Sequence, residues 1–262
     1  MHQKGLTLSV QNRMTMLHDM HCHLDFMTNG EQVAEEARAA GTLIFANTVE
    51  PGGFDGAIER FGNFDNVSIG LGFHPWWMQE ETLDDQLNVF EMRFESTRFI
   101  GEVGLDFGRR GKATADIQVA AFTRIAQLCG SAGGKLLSLH AVRSAETVLD
   151  ILERTGALAN CTCIFHWFSD TSVQLLRARR AGCFFSINPM MASTGRGREY
   201  IKAIETDRLL LEADAPPEQG MAYSYGELHT QLEKAAEAVA SSHGPDALAT
   251  IAATAEHLLG RE

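Results

Sequence analysis

Apolar, β-rich runs recur along the chain, and each is followed by a stretch whose apolar residues return at helical spacing. The runs fall at 16–24, 42–49, 67–74, 98–105, 136–140, 161–168, 183–189 and 209–213. They are nearly continuous in hydrophobicity (TLIFANTV, VSIGLGFH, LLSLH), as expected of parallel strands buried on both faces. The intervening pattern predicts helices at 31–40, 54–61, 83–94, 113–129, 145–153, 172–181 and 199–205, with two more at 227–240 and 246–259. Gly41, Gly62, Gly156, Gly182 and Gly244 follow helical stretches and are expected to supply left-handed caps. Eight strands alternating with helices predict one α/β domain over 16–262, a (β/α)8 TIM barrel with an extra C-terminal helix. A doubly wound open sheet is the alternative, and the lack of GxGxxG after the first strand counts against it. Residues 1–15 are polar and patternless and read as a disordered leader.

The length of 262 residues suits such a barrel, which runs to about 250. No apolar run approaches the roughly 18 residues of a membrane span, and the N-terminus lacks a secretory h-region. Five cysteines without a CxxC pair point to reduced thiols and a cytoplasmic protein. The net charge of −12 argues against coating duplex DNA by bulk electrostatics. It leaves room for a nuclease whose metals and a few local arginines meet the phosphates.

Barrels of this kind carry their sites at the C-terminal ends of the strands. His21 and His23, in DMHCHLD, end the first strand and share one of its faces. His74 ends the third, Glu102 lies near the end of the fourth, His140 ends the fifth, His166 nearly ends the sixth, and Asp214 follows the eighth. Any one of these histidines alone would be read as a satisfied polar residue, but together they indicate a metal site. Imidazoles and carboxylates without thiolates suit Zn, Mg or Mn. So large a set suits two divalent metal ions about 3.5–4 Å apart. Glu102 is the natural bridge, with His21, His23 and Asp214 completing one site and His140 and His166 the other. A water between the ions would attack as hydroxide, with Asp214 accepting its proton.

His74 and Arg143 are candidates for binding a substrate phosphate. Trp76, Trp77, Trp167 and Phe168 are candidates for stacking on splayed bases. Arg109, Arg110, Lys112, Arg196 and Arg198 could steer a nucleic-acid backbone, although charge runs are usually solvated faces. Asp25, Asp106 and Glu212 are expected to orient ligands. Cys161 and Cys163 are read as packing residues, because strand alternation puts them on the face opposite His166.

The motifs DMHCHLD, GFHP, GEVGLD, LLSLH, FHWFS and LLLEADAP, in this order, resemble the TatD family of metal-dependent deoxyribonucleases. The resemblance runs from Met16 to about Leu259 and extends to Gln118 and Phe122 on the fourth helix. It implies a two-metal barrel hydrolase with His21, His23, Glu102, His140, His166 and Asp214 as ligands. It also implies a DNA substrate, single-stranded or at DNA ends. A glutamate at 102, rather than a carboxylated lysine, is the feature of this branch. The chain departs from the family at His140-Ala141-Val142-Arg143, one residue longer than the common His-x-Arg. It has Ile125 in place of a second glutamine on the fourth helix and Lys135-Leu136 where Leu-Pro is usual. Glu212-Ala213-Asp214-Ala215-Pro216 keeps both carboxylates of the usual ETDxP.

The expected activity is cleavage of DNA phosphodiester bonds by a two-metal, hydroxide-attack mechanism (EC 3.1.-.-), with Glu102 and Asp214 catalytic. The alternatives are a hydrolase of a small amide, lactone or phosphoester, since fold does not fix substrate, and a non-catalytic barrel scaffold. The sequence leaves the oligomeric state open.

Overall fold

The computed structural model describes residues 16–260, so the expected leader at 1–15 lies outside the described residues. Eight strands run β1 Asp19–Cys22, β2 Ile44–Asn47, β3 Val67–Phe73, β4 Phe99–Asp106, β5 Leu136–Val142, β6 Thr162–His166, β7 Phe184–Ile187 and β8 Leu209–Leu211. They pair in that order, all parallel. The segment after β8 closes the ring on β1: Asp214 N donates to His21 O at 2.9 Å and His23 N to Ala215 O at 2.8 Å. Asp19 reinforces this seam, its Oδ1 accepting from Ala213 N at 3.0 Å.

The helices are α1 Gly30–Ala40, α2 Phe54–Phe61, α3 Leu83–Phe94, α4 Ala115–Ala132, α5 Ala145–Arg154, α6 Ala157–Asn160, α7 Ser172–Arg180, α8 Pro189–Ser193, α9 Gly195–Ala203, α10 Tyr225–His243 and α11 Ala247–Leu258. The short α6 and α8 carry no apolar period of their own and were not expected from the pattern. Gly41, Gly156 and Gly182 adopt positive φ, as expected of left-handed caps. Gly62 does not: α2 ends there at φ −65°, because the chain continues in right-handed turn geometry. The main core lies between the sheet and the surrounding helices, and Cys22, Cys129, Cys163 and Cys183 are all buried in it. All five cysteines are free.

A second core fills the barrel interior. Met20, Phe45, Leu136, Ile164 and Leu210 meet Ala255, Leu258 and Leu259 from the C-terminal end. Helix α11 therefore plugs the end of the barrel opposite the strand C-termini, leaving the other end for the site. Among the described residues no helix is long and apolar enough to cross a membrane.

Candidate metal centre

Glu102 sits in the middle of β4, four residues before its end rather than near it as expected, and is 2% exposed. Two glycines bring its strand close to its neighbours. A side chain at Gly72 would meet Thr48 O at 1.7 Å and Glu102 N at 2.7 Å, and one at Gly101 would meet Asn47 Oδ1 at 2.0 Å. Glu102 N donates to Thr48 O at 2.8 Å. Its carboxylate is thus aimed along the barrel axis, where imidazoles from four other strand ends converge.

The two oxygens face different partners. Oε2 lies 3.3 Å from His21 Nε2 and 3.4 Å from His23 Nε2. Oε1 lies 2.7 Å from His140 Nδ1, 2.8 Å from His166 Nε2 and 3.2 Å from His74 Nε2. Asp214 Oδ1 stands 3.7 Å from both His21 Nε2 and His23 Nε2. Three triplets have candidate ligand atoms within 4.8 Å of one another: His21, His23 and Glu102; His21, His166 and Asp214; and His74, Glu102 and His140.

The nitrogens turned away from the cluster govern what each ring can offer. His23 Nδ1 donates to Asn47 O at 2.8 Å, so the lone pair of the neutral ring is on Nε2, facing Glu102. His21 Nδ1 is held by Ser138 Oγ at 2.7 Å, and its buried Nε2 has no hydrogen-bond partner among the described residues. Such an orphaned buried atom is costly unless a ligand satisfies it. His140 Nε2 faces Asp106 Oδ2 at 3.4 Å, whereas His166 Nδ1 is 3.8 Å from Glu212 Oε1 and has no hydrogen-bond partner among the described residues. The His140–Asp106 pair is the pattern of a ligand ring oriented by an acceptor behind it. Imidazole nitrogens and carboxylates around one space fit a divalent cation such as Zn, Mg or Mn.

His74 differs. The backbone N–H of Trp76 donates to its Nδ1 at 3.0 Å, and burial lowers its pKa to about 4, against the pull of Glu102. The ring is therefore neutral near pH 7 with its single proton on Nε2, which donates to Glu102. It has a donor, not a lone pair, to offer at the centre.

The charges support one another. Burial opposes ionisation of Glu102, yet at the low pH where it titrates the surrounding imidazoles are protonated, and these, His74, His166 and His21 first, hold its carboxyl well below the usual range. Against desolvation, Asp214 is likewise held low by the His23 imidazole 3.7 Å away and by the charges of His166 and His21. Burial with His166 alongside pushes His21 down to about 4. His23 and His166 are raised well above the ordinary value despite burial, by Asp214 and Glu102 for the first and Glu102 and Glu212 for the second. The backbone is also unusual here. Among the described residues Arg143, Trp167 and Asp214 are the non-glycine residues with positive φ (55°, 39° and 50°), and each lies just past a strand end. Side chains resist this conformation, and such strain gathers at functional sites.

The structure brings together His21, His23, His74, Glu102, His140, His166 and Asp214. Arg143 remains outside the cluster, exposed. Phe168 is 2% exposed and packs on Phe165, Phe185 and Tyr200. It is a core residue, because the turn at Trp167 reverses its face, and it cannot stack on a base. Arg198 caps carbonyls of α8 and its end, donating to Ala192 O at 3.1 Å and Ser193 O at 2.8 Å. The carboxylate of Asp25 makes no hydrogen bond to the cluster among the described residues. Sequence reasoning missed Ser138 and Asn47. Strand alternation could have found Ser138, two residues before His140 on the same face, but the Asn47 contribution is a backbone carbonyl, which leaves no residue signal.

A family model described as TatD related DNase matches residues 18–257. Human deoxyribonuclease TATDN3 is 28% identical over 219 residues, covering 76% of this chain and 77% of that protein. The metal-dependent hydrolase YabD of Bacillus subtilis is 28% identical over 212 residues, covering 77% and 80%. The crystal structure of YJJV, a TatD homologue from Escherichia coli, superposes with a TM-score of 0.69 at 22% identity, covering 93% and 97%. At that identity the likeness establishes the fold.

Proposed function

The chain belongs to the family of TatD-related DNases, a metal-dependent hydrolase acting on ester bonds, and on that premise we propose that it cleaves DNA phosphodiester bonds with two divalent ions. The observation that carries this reading is the division of Glu102: Oε2 serves His21 and His23 at 3.3 and 3.4 Å, while Oε1 serves His140 and His166 at 2.7 and 2.8 Å. One carboxylate with each oxygen in a separate imidazole set is the arrangement a bridging ligand needs. His21, His23 and Asp214 would hold one ion with Glu102, and His140 and His166 the other. When bound, such ions supply a water activated near neutral pH and a clamp on the phosphoryl oxygens.

The chain's own groups do the rest. The Asp214 side chain is 22% exposed, against 3% for Glu102, so Asp214 is the carboxylate that an attacking water can reach. Its ionised state makes it the proton acceptor. His74, whose Nε2 proton faces Glu102 Oε1 at 3.2 Å, would share that donor with a phosphate oxygen of the substrate. Asp106 orients His140 from behind, and Glu212 places negative charge 3.8 Å from His166 Nδ1. A cluster this deep admits a single strand or a strand end more readily than a rigid duplex.

The test is metal analysis of the purified protein and incubation with labelled single-stranded DNA, with and without a chelator. The expected result is two ions per chain and chelator-sensitive degradation, reduced at least roughly 100-fold in Asp214→Ala. Two ions without DNA turnover would move the reaction to a smaller ester or amide, and a protein that binds no ion would refute the reading.

A further inference from the structure

Beside His74, the turn Pro75–Trp77 carries two indoles onto the rim of the site. Trp76 is 39% exposed. Arg110, on the loop after β4, places its guanidinium 3.8 Å from the Trp76 ring centroid and 5.9 Å from that of Trp77. The two indole centroids are 6.3 Å apart with their planes 27° from parallel. These distances form a triangle, so the guanidinium lies over the pair rather than between its members. Arg110 is exposed and has no ion-pair partner among the described residues, which leaves its N–H edge free. The Trp76 indole cannot swing away, because its N–H donates to Asp106 Oδ2 at 2.5 Å. That same oxygen lies 3.4 Å from His140 Nε2.

An arginine on an exposed tryptophan is in many proteins only surface packing. Here the stack is tethered to the metal cluster through Asp106, and it belongs to a chain of net charge −12. Such a chain repels a polyanion overall, so bulk electrostatic attraction does not supply the affinity. Stacking on a planar face is independent of net charge and available to any unpaired base.

We infer that the Trp76–Arg110 pair is a stacking subsite for an unpaired nucleobase next to the scissile phosphate. The base extends the stack on the outer face of the guanidinium, and the free N–H edge of Arg110 meets a phosphate oxygen of the same strand. Bases within a duplex are already stacked on one another, so the subsite selects single-stranded substrate. This inference rests on the nuclease reading above.

The test compares pentathymidylate with a pentamer of the same charge in which every base is absent, titrated against the purified protein by tryptophan fluorescence. The base-bearing strand should bind roughly tenfold more tightly. Arg110→Ala and Trp76→Leu should each bring the ratio of the two affinities towards one. Trp76→Phe, which keeps a π-face but loses the bond to Asp106, should retain most of the ratio. Trp77 and Trp167 still report binding in the Trp76 variants. Equal affinity for the two strands, or a ratio unchanged in both Arg110→Ala and Trp76→Leu, overturns the subsite. Base-dependent binding in a protein that hydrolyses no DNA would uphold the subsite and refute the nuclease reading. Hydrolysis without base dependence would do the reverse.

Discussion

At His74 the backbone amide of Trp76 decides where the ring proton sits, and that one hydrogen bond separates it from the four other imidazoles around Glu102. His23 is the mirror case: its Nδ1 donates to a carbonyl, leaving Nε2 free to bind a metal. The two variants should therefore fail differently. His23→Ala is expected to lose bound metal and activity together. His74→Ala should keep its metal content and lose about 10–100-fold in kcat/KM, since it removes a donor to the substrate. Metal analysis alongside kinetics checks this, and loss of metal in His74→Ala would contradict the tautomer argument. The sequence set His74 apart as a candidate for the substrate phosphate, but the reason for its difference from His23 was not visible there. A tautomer depends on which backbone group lies 3 Å away, and the pattern of side chains carries no record of it.

Among the elements, α11 has a role set by its position rather than by its own amphipathicity. The pattern predicted a helix at 246–259, and the structure gives Ala247–Leu258, but only the tertiary arrangement puts its last turn into the barrel's lower opening. Leu258, 6% exposed, meets the interior layer formed by Met20, Phe45, Leu136, Ile164 and Leu210. Truncation there leaves a cavity against a rigid ring of strands, so Leu258→Ala should cost about 2–4 kcal/mol. The urea midpoint should fall, with metal content unchanged in the protein that remains folded. A loss well under 1 kcal/mol would mean that α11 only lies over the barrel without filling it. The strands were the most legible elements, each found with ends shifted by a few residues. The short α6 and α8 were missed because one turn has no period to read, and α8 takes its start from Asn188, whose side chain accepts from Met191 N.

At the level of the whole molecule, the contact between α11 and the segment before β1 makes stability depend on pH. His18 is 4% exposed. Its Nδ1 accepts from Leu43 N–H at 3.1 Å and its Nε2 lies 3.3 Å from Glu256 Oε1. Burial lowers its pKa below the ordinary 6.5, against the pull of Glu256, and a proton on Nδ1 would break the bond to Leu43. The unfolded chain takes up this proton at higher pH than the folded one, so stability is full above about pH 6.5 and declines as pH falls below it. Urea titrations of the chelator-treated protein between pH 8 and 5.5 should show this decline, and His18→Gln should flatten it. A variant that follows the wild-type slope would assign the effect to other groups. By itself the sequence determined the α/β barrel class and the order of its strands along the chain, because both follow from continuous apolar runs alternating with stretches of 3.6 period. It also marked the residues at the strand ends whose chemistry points to metal, because the C-terminal rim of a parallel barrel is where side chains can converge. Only the tertiary structure decided which oxygen of Glu102 faces which imidazoles, which nitrogen of His74 carries the proton, that Phe168 is core, and that Arg110 lies on Trp76. Those are matters of distance and direction between residues far apart in the chain. They follow from how eight strands close, not from any one strand's pattern.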